Sequence, residues 1–401
     1  MSMGQWREGH PNPLTISVGP ARGATIRGED NVALQAAVDY VAGVGGGQVE
    51  VQPGTYLMHD SLHLRSHVTV RGAGADTVLL KPPAVSSALS TDIAYGHWDV
   101  SLAEPDKFRP GMGVYIYDDN TGGFARTVAT LLYRDGDRFG LSRAIFYDYG
   151  RCRNALVTSV YPLISGVNVE EAAAVGLLLE GNQSENPPID GCRGGGLYLI
   201  GCRQTYVGDV TVQDVNGDGV SFQQCSDPVF EGVRSLGNSG TGFHPGSGSL
   251  RFQMRRLVSA NNGADGLFYC VRATDGVLED SEFSANVGHG LSIGNRDTDQ
   301  IVRGCLIQDN GGAGVYFRDL DEPTAAHNVQ LLGNRLLHNC QSEGRAEIDL
   351  DGEVRGTVIR DNEIHAAPGK PGIRICSRVL DLEMANNQIE AEVDVVDERP
   401  G

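Results

Sequence analysis

The sequence predicts an all-β solenoid of the parallel β-helix type, with an N-terminal helical cap and a β-rich insertion. Three observations predict it. The first is an internal period. The segments NGDGVSF, NSGTGFHP, NGADGLFY, NVGHGLSI and NGGAGVYF share an Asn/Gly-rich turn, an aligning glycine and then alternating apolar residues. The aligning glycines are Gly219, Gly242, Gly266, Gly290 and Gly314, at spacings of 23, 24, 24 and 24 residues. Gly196 lies 23 residues earlier and Gly176 a further 20, which extends the series to seven units. A period of about 20–25 residues with short strands fits a β-helix coil. The second observation is composition: 54 glycines in 401 residues, with frequent Asn, call for many tight turns between short strands. The third is the scarcity of helical pattern outside one N-terminal segment, and the Leu-x-x-Leu-x-Leu frame of the competing leucine-rich solenoid is missing.

The elements follow in order. EDNVALQAAVDYVAGVGGG reads as a helix over roughly 30–42, capped at Asp30 or Asn31. QVEVQPGTYLM, SLHLRSHVTVRGAG and TVLLKPP read as the first strands, so residues 1–94 form the cap and first coils. A solenoid end exposes apolar core and unpaired edges, and the helix can cover them. Residues 95–170 break the rhythm. FRPGMGVYIYDD, ARTVATLLYRDGDRFGLS and ALVTSVYPL read as antiparallel strands turning at DDNTGG and RDGD, a β-rich insertion able to wall a groove. Residues 171–401 are then the coils carrying the site. In LLGNRLLHN, VIRDNEIHA and MANNQIEAE, the residues Asn334, Asn362 and Asn387 recur at one coil position and predict a stacked ladder.

Composition excludes several function classes. Acidic residues outnumber basic ones by 51 to 32, a net charge of −19, which argues against nucleic-acid or anionic-membrane partners. Lysine occurs only at Lys81, Lys107 and Lys370, so lysine-based covalent chemistry is not expected. The eight cysteines show no CxxC pair, which argues against a zinc ribbon or thioredoxin motif and favours buried thiols. No stretch approaches about 18 apolar residues, and MSMGQWREGHPNP has no apolar core, so neither a membrane span nor a secretory signal is expected. The corresponding location is cytoplasmic, or secreted if a signal has been removed. No metal or cofactor is expected. Asp118-Asp119-Asn120 has the composition of a Ca²⁺ loop, but a turn is the favoured reading. GVGGG at 43–47 is not followed by the Lys-Ser/Thr of a phosphate loop.

These repeats, with the opening DNVALQAAVDYVAGVGGGQVEVQPGTYLM, resemble the pectate-lyase-like superfamily of right-handed parallel β-helices. That group includes lyases, hydrolases, C5-epimerases, transferases and phage tailspikes. The resemblance implies the fold and leaves the reaction open. A closer likeness is to the catalytic coils of mannuronan C5-epimerases, in which Tyr-Gly-Phe-Asp-Pro-His carries catalytic groups and an Asp follows in the next coil. The matching stretch is Thr241-Gly242-Phe243-His244-Pro245-Gly246, with DGLFYC next. Thr241, His244, Gly246 and Cys270 stand at the Tyr, first Asp, His and second Asp positions, so the resemblance implies where the groove lies and not the same chemistry.

Side chains alternate along a strand and equivalent positions on adjacent coils stack about 4.8 Å apart, so the columns make a surface map. The first and third residues after each aligning glycine are apolar and point inward. The second and fourth point outward: Ser221 and Gln223, His244 and Gly246, Phe268 and Cys270, Ser292 and Gly294, Tyr316 and Arg318. His244 is the central candidate, because an outward imidazole can act as general acid or base. Asp218, Thr241, Asp265 and His289 precede the glycines. Asp265 and His289 would be neighbours, and Asp218 and Asp265 would lie two rungs apart, near the upper end of the carboxylate separation of inverting glycosidases. The plain alternative is that these Asp residues cap turn amides. Arg272 and Arg296 should stack, with Arg318 nearby, to grip an acidic sugar's carboxylate unless Asp297, Asp299 and Asp319 neutralise them. Gln223, Phe268, Tyr316 and Tyr198 are candidate substrate contacts, the aromatic ones as platforms for sugar rings. Cys202 and Cys225 should stack as structural thiols.

The expected function is a carbohydrate-active enzyme on a uronic-acid-containing polysaccharide or oligosaccharide, using lyase- or epimerase-type proton abstraction with His244 as acid or base. A glycoside hydrolase using Asp218 and Asp265 is the enzymatic rival. A non-catalytic glycan-binding or tailspike-like protein is the rival of another class. Homo-oligomerisation is left open.

Overall fold

The computed structural model describes residues 14–400; the segment 1–13 that was read for a secretory signal lies outside them, as does residue 401. Three parallel sheets of 13, 11 and 11 strands run the length of a right-handed β-helix, and a separate six-stranded antiparallel sheet projects from it. Each coil contributes one short strand to each parallel sheet. One coil, for example, runs through Leu197–Ile200, Tyr206–Gly208 and Thr211–Gln213 before Val220–Gln223 begins the next. The sheet that contains Leu197–Ile200 is the site sheet.

The glycine columns are in the expected register from Gly196 onward. Leu197 pairs with Val220, Val220 with Phe243, Phe243 with Leu267, Leu267 with Leu291 and Leu291 with Val315. Close approach explains the glycine column: a Cβ on Gly242 would lie 2.0 Å from the Ser259 hydroxyl. Gly176 is a correction. It lies between Ala173–Val175 and Leu178–Glu180, at a corner joining the other two sheets, with φ of +63°. Its left-handed conformation makes a bend there. Gly232, Gly304 and Gly333 occupy the same corner in later coils.

The inward columns form one continuous core. Phe222, Phe243, Phe252, Phe283 and Phe317 are fully buried in it, together with Val220, Leu267 and Leu291. Each such side chain contributes roughly 1.5–3 kcal/mol by leaving water. The helix Asn31–Gly43 (α1) covers the N-terminal end, burying Ala33, Leu34, Ala37, Val38 and Val41. Its N-cap is Asp30, whose carboxylate accepts the Ala33 amide at 2.9 Å.

Asn334, Asn362 and Asn387 form the expected ladder, each side-chain amide donating to the next Asn carbonyl oxygen at 3.0 and 2.9 Å. A second ladder runs through Asn238, Asn262, Asn286, Asn310 and Asn339, at 2.8–3.0 Å per step. It ends where Asn339 donates to buried Glu347 at 2.6 Å. The turn asparagines of the repeat thus work inside the coil. Cys202 and Cys225 are buried and in contact, one above the other.

The antiparallel sheet spans residues 86–158, and the coils resume at Ile164–Val167. The insertion therefore starts before residue 95 and ends before residue 170. Its strands Gly113–Tyr117, Thr127–Asp135 and Arg138–Leu141 have their own apolar core, including Val114, Ile116, Leu131 and Phe139. In its Asp118-Asp119-Asn120 turn, Asp118 accepts from the Asn120 and Gly150 amides and from Arg153, so its oxygens close a turn and a half-buried ion pair. Among the described residues, no helix is long and apolar enough to cross a membrane.

Candidate functional site

The outward column of the site sheet is continuous. His63, Ser165, Tyr198, Ser221 and His244 lie on successive coils, and Phe268, Ser292, Tyr316, Asp349 and Arg374 continue the column. Two regions of this face carry chemistry.

The first region centres on His244. Asp218 Oδ2 lies 2.6 Å from His244 Nδ1, and Asp218 Oδ1 accepts the Thr241 amide at 2.8 Å. The capping role and the imidazole-orienting role thus fall on different oxygens of one carboxylate. Burial opposes the imidazolium, but the hydrogen bond and charge of Asp218 outweigh it and hold the His244 pKa above the ordinary histidine value. Among the described residues, His244 Nε2 is buried without a partner. Phe268 meets the ring edge-on at 5.6 Å.

The outward direction of His244 does not make it open, and this corrects the expectation of a free approach. The residue is only 7% exposed. The segment 190–194 lies over it: a Cβ on Gly191 would fall 1.9 Å from Asp218 Oδ2 and 2.7 Å from His244 Nδ1. The insertion anchors this segment. Asp190 accepts the Gly123 amide, and Arg193 donates to the Phe124 carbonyl at 2.7 Å. Cys192 in this segment contacts Cys270, a contact that holds Cys270 below and Cys192 above the ordinary thiol range; both thiols are free.

Other expected site residues are placed as follows. Asp265 Oδ1 accepts the His289 amide at 2.7 Å, so the two are neighbours through the backbone. Burial raises the Asp265 pKa and lowers that of His289, whose Nδ1 accepts the Ala313 amide. Tyr316 stacks on His289 with ring centroids 4.4 Å apart. Arg318 does not offer itself to a ligand carboxylate. It donates to Asp297, Ser292 and the Tyr269 carbonyl and lies 4.4 Å over the Phe268 ring. Burial pushes the Asp297 carboxyl up to about 8, and Arg318 with the Ala273 and Gly294 amides offsets only part of that rise. Arg272 and Arg296 occupy equivalent positions on adjacent coils, since Arg272 N donates to Asn295 O, but both are exposed, left-handed in backbone and off the strand face that bears Arg318. The expected three-arginine grip is therefore not formed. Asp319 pairs with Arg378, and Asp299 accepts from Asn328. Gln223 is fully buried and donates to Ser221 Oγ at 3.0 Å, which takes it out of reach of a glycan.

The second region is a cleft of about 770 Å³ over the first coils, between α1, the insertion and the site sheet. Tyr198 lines it, and its hydroxyl donates to the Cys192 carbonyl at 2.9 Å. Asp60, His63, Ser165, Arg143 and Arg193 line it too, and none of these was singled out from sequence. The insertion separates His63 from Ser165 by 101 intervening residues and hides their shared column. Arg143 packs over Phe146 at 4.9 Å, and Arg193 lies over Phe124 at 4.8 Å. Among the described residues, neither arginine makes an ion pair with a carboxylate.

Comparison with known proteins agrees with this fold. The family model described as "right handed beta helix region" matches residues 195–346. The A-module of the Azotobacter vinelandii mannuronan C-5 epimerase AlgE4 is similar over 96% of this chain and 100% of its own, with a TM-score of 0.58 and 16% identity. A polygalacturonase from Erwinia carotovora ssp. carotovora is similar over 96% of this chain and 98% of its own, with a TM-score of 0.55 and 11% identity. The Dettilon tailspike protein shares a TM-score of 0.58 and 11% identity over 95% of this chain and 62% of its own. No curated protein matches the sequence. At these identities the likeness is one of fold. The chain is a right-handed parallel β-helix protein.

Proposed function

We propose that the protein is a carbohydrate-active enzyme that acts on a uronic-acid-containing polysaccharide or oligosaccharide by lyase- or epimerase-type proton abstraction. The observation that carries the reading is His244, with Nδ1 held by Asp218 and Nε2 left without a partner on the site sheet. A His oriented by a carboxylate at one nitrogen can transfer a proton at the other. Arg143 in the adjoining cleft replaces Arg272, Arg296 and Arg318 as the group that grips the sugar carboxylate. Binding neutralises that carboxylate and acidifies the C5 proton. His244 Nε2 takes the proton, leaving electron density on the carboxylate. The C4 oxygen then leaves, taking up the proton that His244 returns, and gives an unsaturated product with a new hydroxyl end, while protonation of C5 from the other face by water gives the epimer, His244 passing its proton back to solvent. Segment 190–194 covers the imidazole, so the reacting carbon reaches it when this segment is displaced. The names of two proteins of similar fold, an epimerase of mannuronan and a polygalacturonase, point to the same substrate class.

The test is incubation with a panel of acidic and neutral polysaccharides, reading near-ultraviolet absorbance, new reducing ends and C5 proton exchange together. Absorbance or exchange on a uronate polymer, reduced at least about 100-fold by His244→Gln, is the expected result. Reducing ends alone would transfer the case to hydrolysis by Asp218 and Asp265. Silence on all three would favour a glycan-binding protein.

A further inference from the structure

The cleft holds a second constellation that the proton-abstraction reading does not use. His63 Nδ1 is 2.8 Å from Ser165 Oγ, and His63 Nε2 is 3.2 Å from Asp60 Oδ2. The hydrogen bonds around Asp60 decide the tautomer. Its Oδ1 accepts the Ser61 amide at 2.8 Å, and its Oδ2 accepts the Thr130 hydroxyl at 2.6 Å. An ionised carboxylate only accepts, so His63 Nε2 carries the proton directed at it. Nδ1 of the neutral ring is then a lone pair, and Ser165 Oγ donates to it. This is the proton arrangement that activates a serine nucleophile, with the two imidazole nitrogens in exchanged roles relative to the usual one.

The supports come from three parts of the chain. Gln35 on α1 clamps the His63 backbone, accepting its amide at 2.8 Å and donating to its carbonyl at 3.1 Å. Thr130 reaches Asp60 from the insertion. Ser165 lies on the site sheet and pairs directly with His63. All these side chains border the same cleft, whose other walls include Val32, Val128, Leu132 and Val167.

The geometry points to Ser165, His63 and Asp60 as an acyl-transfer site that hydrolyses an ester, with a short acyl group on a sugar hydroxyl as the substrate class. Ser165 Oγ attacks the ester carbonyl while its proton passes to His63 Nδ1. The tetrahedral intermediate collapses as His63 returns that proton to the departing sugar oxygen, leaving an acyl-serine. Water attacks the acyl-serine, His63 takes a proton from it, and the proton returns to Ser165 as the carboxylic acid leaves. Arg143, which makes no ion pair with a carboxylate among the described residues, lines the same cleft as a cationic group.

The test needs no glycan and so stands apart from the fate of the proton-abstraction reading. The unaltered protein is treated with a fluorophosphonate, and the adduct is mapped by peptide mass spectrometry. In parallel, p-nitrophenyl acetate hydrolysis is measured for the unaltered protein, Ser165→Ala and Asp60→Asn. One phosphonyl group on Ser165, and hydrolysis lowered at least about 100-fold by each substitution, is the expected outcome. An unlabelled Ser165, or equal hydrolysis rates in the unaltered protein and Ser165→Ala, overturns the proposal. Because the label is read on the unaltered chain, the proposal stays falsifiable even where a variant does not fold.

Discussion

Asp218 and His244 stand on adjacent coils and meet at 2.6 Å, and the same carboxylate that holds the imidazole also caps the Thr241 amide. Burial alone would lower the imidazole's pKa, so its net upward shift rests on Asp218. In an NMR titration, His244 should titrate above about 6.5, and Asp218→Asn should bring it below that value. A raised folded-state pKa contributes stability fully below the unfolded value, and that contribution is lost as pH rises through the folded value. As a base, His244 should work better as pH rises through the same point. A His244 signal that does not move in Asp218→Asn would contradict this account.

Gly191→Ala tests the cover over the dyad. The new Cβ would lie 1.9 Å from Asp218 Oδ2, so either segment 190–194 or the dyad must shift. The expected cost is about 1–3 kcal/mol of stability. The His244 titration should also move toward that of Asp218→Asn. An unchanged melting profile with an unchanged titration would show that the segment does not sit there in solution.

Arg143→Ala should weaken binding of a uronate oligomer about 10- to 100-fold, the worth of a partly buried charge-assisted contact. Binding of the equivalent neutral sugar should change little. Calorimetry on the two ligands separates these cases. Equal losses for both would mean that Arg143 shapes the cleft and does not read the carboxylate.

Asn262→Ala removes a central rung of the long ladder. Asn262 accepts from the Asn238 backbone and side chain and donates to Ser235 O, Ser259 Oγ and Asn286 Oδ1. Leaving such buried groups unpaired should cost about 2–4 kcal/mol in denaturant unfolding. Asn387→Ala, at the half-buried end of the other ladder, should cost visibly less. Similar losses at both positions would deny the ladder its cooperative role.

Glu347, where the long ladder ends, has its pKa pushed up to about 7 by burial. The folded state keeps this proton while the unfolded chain releases it near about 4.3. Stability should therefore fall as pH rises from about 4.3 to about 7, by on the order of 3 kcal/mol. Glu347→Gln should flatten that slope in pH-dependent unfolding, and an identical slope would show that the residue is ionised when folded.

The repeat made most of the fold legible from residues alone. Glycine spacing set the register from Gly196 to Gly314, because each aligning glycine admits a close neighbour that any Cβ would strike. Alternation then separated inward Val220 and Phe222 from outward Ser221 and His244, and Asp30 announced the helix. Spacing misled at Gly176, where glycine serves a left-handed corner instead of a close approach, since one residue type answers two backbone demands. Outward direction was readable for His244, but exposure was not. Only the tertiary structure laid segment 190–194 over that ring, tied Arg318 to Asp297 and left Arg272 and Arg296 outside. It alone carried Asp60, His63, Thr130 and Ser165 into one cleft. Their meeting depends on the insertion folding back onto the first coils, and coil periodicity reports stacking within the solenoid and nothing about what packs on its face.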